Sequence, residues 1–103
     1  MSLVITVLDA HVTPERAADL QAAYAEAARG PFPLGLVRSS LLRHAGDPTQ
    51  WRIETVWESQ EALAAMRRAG RPRGLQIFEA ARAQPEVSIF DVVADLVPAK
   101  GNA

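Results

Sequence analysis

The sequence predicts a single α+β domain of βαββαβ order. Three observations point to it. Four β-branched, apolar runs have strand length, and two intervening stretches repeat their apolar residues at helical spacing. The middle two runs are separated only by a turn-rich loop, which makes them a hairpin.

Leu3 to Val12 is the first strand, with Leu3, Ile5, Val7, Asp9 and His11 alternating against Val4, Thr6, Leu8, Ala10 and Val12. Thr13-Pro14-Glu15 opens a helix: Thr13 suits the cap, Pro14 the first turn, and Glu15 the positive end of the dipole. Ala17, Leu20, Tyr24 and Ala27 or Ala28 form its apolar stripe, and Gly30, Pro31 and Pro33 end it. Leu36 to His44 and Trp51 to Trp57 flank the loop Ala45-Gly46-Asp47-Pro48-Thr49-Gln50. Ser59 caps a second helix through Ala62, Leu63 and Met66, which stops near Gly70 and Pro72. Leu75 to Ala83 is a further short helical segment closed by Pro85, and Val87 to Leu96 is the last strand. Residues 1–97 thus form one domain and residues 98–103 a tail.

This order gives a ferredoxin-like, antiparallel four-stranded sheet with helices on one face. The other face would then carry Ile5, Val7, Val37, Leu41 and Val56, too apolar for free solvent. A homodimer is the simplest cover.

Composition excludes several functions. A hydrophobic share of 49% supports a core and argues against disorder. A net charge of −1 supplies no field for nucleic acid or an anionic membrane. With no cysteine, disulfides, thiol catalysis and Cys-ligated metals are all removed, and neither His has the spacing of a ligand motif. No metal site is therefore expected. The N-terminus lacks the basic start and long apolar run of a signal peptide, and no segment reaches membrane-span length. The expected compartment is the cytoplasm.

If the hairpin pairs regularly across a six-residue loop, His44 faces Trp51 and Arg38 faces Trp57. Arg38, Ser40, Leu42 and His44 then share a face with Trp51, Ile53, Thr55 and Trp57, an aromatic slot with two polar heads. Arg38 would hold a developing anion and His44 would take a phenolic proton. The alternative is a packed core Trp57 and a solvated His44 at the loop edge. Asp9, His11, Arg52 and Glu54 form a second polar group, read either as an oriented base or as surface ion pairs. Arg67, Arg68, Arg71 and Arg73 are either a clamp for an anion or cations favoured at a helix C-terminus.

One junction suggests a family. The stretch Gly35 to Ser39, continued by Trp51 to Leu63 with Trp57-Glu58-Ser59 running from strand into helix, resembles the antibiotic biosynthesis monooxygenase domains of the dimeric α/β-barrel superfamily. Val12-Thr13-Pro14-Glu15 is similar to the family's first strand-to-helix junction, and Val87 to Val93 to its last strand, so the resemblance covers roughly residues 3 to 96. It implies a homodimer with a pocket between sheet and helices, and oxidation of aromatic phenols or quinols by O2 without flavin or metal. The pocket would draw on Trp51, Ile53, Thr55, Leu63 and Met66, with Trp57, Arg38 and His44 as its chemical groups.

The departures matter. The polyketide oxygenases of that family carry Asn where this chain has Ile53 and Tyr where it has Leu63. Their pocket Arg falls near Ile77, with Arg73 or Arg82 a turn away. The haem-degrading branch has Asn at Ala10, Trp at Met66 and a His in the third helical segment, where this chain has none; haem degradation is disfavoured. Three readings follow: a cofactor-independent monooxygenase for a small aromatic or polycyclic phenol, a non-catalytic dimeric binding protein, and an isomerase or cyclase using acid–base chemistry alone.

Overall fold

The computed structural model describes residues 2–99. Strands β1 (Val4–His11), β2 (Leu36–Arg43), β3 (Gln50–Trp57) and β4 (Glu86–Asp91) pair antiparallel in the order β2-β3-β1-β4. Helices α1 (Ala17–Ala27), α2 (Gln60–Ala69) and α3 (Arg73–Ala80) lie against one face of the sheet. The expected α+β architecture is the one observed.

Alternation sorts the two faces. Cross-strand partners share a face, and β1–β3 pairs Val4 with Trp57, Thr6 with Thr55, Leu8 with Ile53 and Ala10 with Trp51. These residues meet the helices. Ile5, Val7 and Val56 lie on the opposite face with Phe90 of β4. Leu41, expected there, instead packs with the helix-side core, because it pairs with Ile53.

The core divides in two. Leu20 of α1 and Ile77 and Phe78 of α3 pack over Leu8, Ala10, Trp51 and Ile53. Leu63 of α2 packs separately on Val4 and Trp57, with Leu36, Ala62 and Met66 beside them. The helices leave a gap between these clusters.

Local chemistry fixes the joints. Ser59 caps α2 as expected, its hydroxyl accepting from the Ala62 N–H at 3.0 Å. Thr13 does not cap through its side chain. Pro14 first opens a 3-10 turn, Pro14–Arg16, and the Thr13 carbonyl accepts from the Arg16 N–H at 2.9 Å before α1 begins. α3 starts at Arg73 rather than Leu75 and ends at Ala80 rather than Ala83. Arg82 takes a positive φ of 56°, and the N–H groups of Arg82 and Ala83 close onto Glu79 and Phe78. Gly35 has φ +86° and lies so near α2 that a Cβ would sit 2.4 Å from that of Ala62.

The last strand is shorter than Val87 to Leu96. β1 begins at Val4, opposite Asp91, and among the described residues one further bond follows, from the Val92 N–H to the Leu3 carbonyl at 2.9 Å. Val93, Leu96 and Val97 then run exposed, with no strand beside them among the described residues. Of the tail expected at 98–103, residues 100–103 lie outside the described residues, as does Met1.

Candidate functional site

The gap between the two half-cores is a cavity of about 740 Å³. That volume falls in the range of small-molecule sites, about 300 to 1,000 Å³. Its floor is buried and mostly apolar, formed by Ile53, Trp57, Leu63, Ile77 and Leu8, with Thr6 among them. Its rim includes Pro31, Phe32 and Pro33 from the α1–β2 loop, and Arg67, Arg71 and Arg73 from the end of α2 to the start of α3.

Polar groups within it are few and mutually bonded. The Trp57 indole N–H donates to the Thr6 hydroxyl at 3.2 Å, which satisfies both inside the core and locks the ring plane. The Tyr24 hydroxyl donates to the Ser39 hydroxyl at 3.0 Å, and the Thr55 hydroxyl donates to the same oxygen at 3.3 Å. This chain of three hydroxyls links α1, β2 and β3 across one wall. Tyr24 thereby keeps its own oxygen free to accept a hydrogen bond from a ligand. Among the described residues, no carboxylate or imidazole lines the cavity, and no group of His, Asp and Glu could hold a metal ion.

Of the residues the sequence nominates, Trp57, Ile53, Thr55, Leu63 and Met66 all line the cavity. Trp51 does not. It is buried in the α1–α3 half of the core, with the Arg43 guanidinium 5.6 Å from its ring centre. Its indole N–H has no hydrogen-bond partner among the described residues.

The expected meeting of Arg38 with Trp57 and His44 with Trp51 does not occur. The hairpin closes one residue tighter, with the His44 N–H donating to the Gln50 carbonyl at 2.9 Å, so Arg43 pairs with Trp51 and Arg38 with Val56. Arg38, Ser40 and Leu42 therefore point away from the helices, and Ser39 and Leu41 point toward them. A second irregularity between Leu36 and Arg38 brings Leu36 opposite Trp57. His44 serves the turn instead, its Nδ1 accepting from the Gly46 N–H at 2.9 Å. In the same turn the Thr49 hydroxyl and N–H donate to Asp47 at 2.7 and 3.0 Å and hold its carboxyl below the usual carboxylate range.

The second polar group is an ion-pair cluster on the outer sheet face. Arg52 forks onto Asp9 at 2.7 and 3.2 Å and approaches Glu54 at 3.8 Å, while His11 pairs across with Gln50 and stays exposed. The arginine run is divided. Arg67, Arg71 and Arg73 reach the rim and Arg68 does not.

Sequence reasoning missed Thr6, Ser39 and the role of Tyr24. Thr6 carried a signal, as a hydroxyl within an apolar strand on the face shared with Trp57. Ser39 carried none until the register was known.

Comparison with known proteins agrees with this geometry. The family model for antibiotic biosynthesis monooxygenase matches residues 1–83. Among solved structures, the chain is similar to a point variant of SnoaB, a cofactor-independent oxygenase from Streptomyces nogalater. The TM-score is 0.72 at 24% identity, covering 93% of this chain and 98% of that one. It is similar also to a Nitrosomonas europaea protein of unknown function, with TM-score 0.70, 16% identity, and 96% and 97% of the two chains covered. No curated protein matches. With most of its length inside the family model, the chain belongs to the antibiotic biosynthesis monooxygenase family.

Proposed function

We propose that the protein is a cofactor-independent monooxygenase that oxidises a small planar phenol or quinol with O2, working as a homodimer joined through the outer sheet faces. The observation that carries this is the cavity: an apolar floor that includes Trp57, with one bonded line of hydroxyls along its wall. A phenol stacked on Trp57 would donate its O–H toward Tyr24. Guanidinium groups at the rim favour its ionised form. The electron-rich anion then reacts with O2 directly. In an anthrone-like substrate, the proton lost on ionisation goes to solvent. One oxygen atom becomes the carbonyl at the former methylene carbon, and the other leaves as water with that carbon's remaining hydrogen and one proton from solvent. The protein contributes orientation and a dry site rather than a dedicated base.

A specific observation favours a second reading, a binding protein without turnover. Ile53 and Leu63 line the cavity where the oxygenases resembled carry Asn and Tyr. Oxygen uptake separates the two. With an anthrone as probe, the oxygenase consumes one O2 per substrate and Trp57→Phe slows it about tenfold or more, whereas the binding protein is stabilised by the anthrone with no uptake above the buffer rate. Conversion at the same rate without air would mark acid–base chemistry instead and sink the oxygenase.

A further inference from the structure

The geometry points to an anionic substrate: we infer that Arg67, at the cavity rim, clamps a carboxylate carried by the aromatic ligand. This rests on the reading of the cavity as a site for a planar aromatic molecule.

Four arginines lie between residues 67 and 73, and their partners differ. Arg71 is paired with Glu79. Arg73 donates to the Ala27 and Pro31 carbonyls at 3.4 and 3.3 Å, tying the end of α1 to the start of α3. Arg68 lies off the cavity. Arg67 lines it, is exposed, and has no ion pair or side-chain hydrogen bond among the described residues. A helix C-terminus favours cations, which accounts for Arg67 and Arg68 equally. It does not account for the rim, because Arg71 and Arg73 stand beyond the end of α2 and still line the cavity.

No carboxylate of the chain lines the cavity among the described residues, so the rim is net positive over an apolar floor. Such a site selects a molecule with an apolar body and one ionised end. An ionised carboxylate keeps its solvation at the rim and loses it on the Trp57 and Ile53 floor, and a guanidinium matches a carboxylate through two parallel N–H donors.

The test is anaerobic binding of two isosteric probes, anthracene carboxylate and anthracene carboxamide, followed through ligand-induced shifts in the melt and by calorimetry. The wild-type protein should bind the carboxylate about tenfold more tightly than the amide, and the preference should shrink as salt rises. Arg67→Ala should abolish the preference, weakening carboxylate binding far more than amide binding. Arg68→Ala removes the same charge one residue away and should keep it. Equal affinities in the wild type, equal losses in both variants, or no binding of either probe would overturn the assignment. Oxygen uptake is not read here, so a clamp that holds the carboxylate without turnover fails the oxygenase and leaves this inference standing.

Discussion

Trp57 is held by more than packing. Its indole N–H reaches the Thr6 hydroxyl within the core, so Trp57→Phe leaves a buried hydroxyl without its donor as well as a narrower ring. The expected loss is about 1 to 3 kcal/mol, measured by urea unfolding, and Thr6→Val together with Trp57→Phe should cost less than the two separate losses added. By contrast, Arg38→Ala and His44→Ala should leave ligand affinity within about twofold, because neither side chain lines the cavity. Asp47 offers a titration. Its folded pKa is depressed, so its contribution is present above the unfolded value and is lost as pH falls through the lower folded one. A carbon-detected NMR titration should place Asp47 below an unfolded carboxylate, and Thr49→Ala should move it back up.

At the scale of elements, the second helix depends on two small residues. Ser59→Ala should cost about 1 kcal/mol by removing the cap. Gly35→Ala should cost more, on the order of 2 kcal/mol or above, since it forces a left-handed φ and a collision with Ala62 together. Hydrogen exchange localised to α2 would distinguish this from general loosening. The elements were legible because their signals are local: Ser59 before a helical stripe, Pro31 and Pro33 after one, alternation through β1. Register was not. Whether Ser39 or Arg38 lies on the same sheet face as Trp57 turns on one residue in the loop, and that was set by Asp47 and Thr49 folding the turn onto themselves. The floor of the site could be read from periodicity, since Ile53, Thr55 and Trp57 share a face whatever their partner does. The hydroxyl line could not, because Tyr24, Ser39 and Thr55 come from three elements whose meeting depends on that register.

For the whole molecule, the outer sheet face sets the expectation. Ile5, Val7, Val56 and Phe90 share it with the Asp9–Arg52–Glu54 group, and among the described residues no helix covers it, although Val7 is already buried in a single chain. Phe90 is 54% exposed in a single chain, a large apolar surface that a second copy would bury. Sedimentation should show a dimer, and Phe90→Asp should weaken it on the order of a hundredfold by replacing an apolar contact with a carboxylate. The arginine rim and the cavity open from the opposite face, so this variant should keep its affinity for an aromatic probe if each subunit holds a complete site.

The two tryptophans stand in unlike places, one in the cavity wall and one in the core beyond it. The protein thus carries its own optical gauge. An aromatic guest that stacks in the cavity should quench or shift the emission of Trp57 and leave that of Trp51 nearly constant. A Trp51→Phe variant, which also discards the unpartnered indole N–H, would turn that difference into a single-fluorophore readout of occupancy.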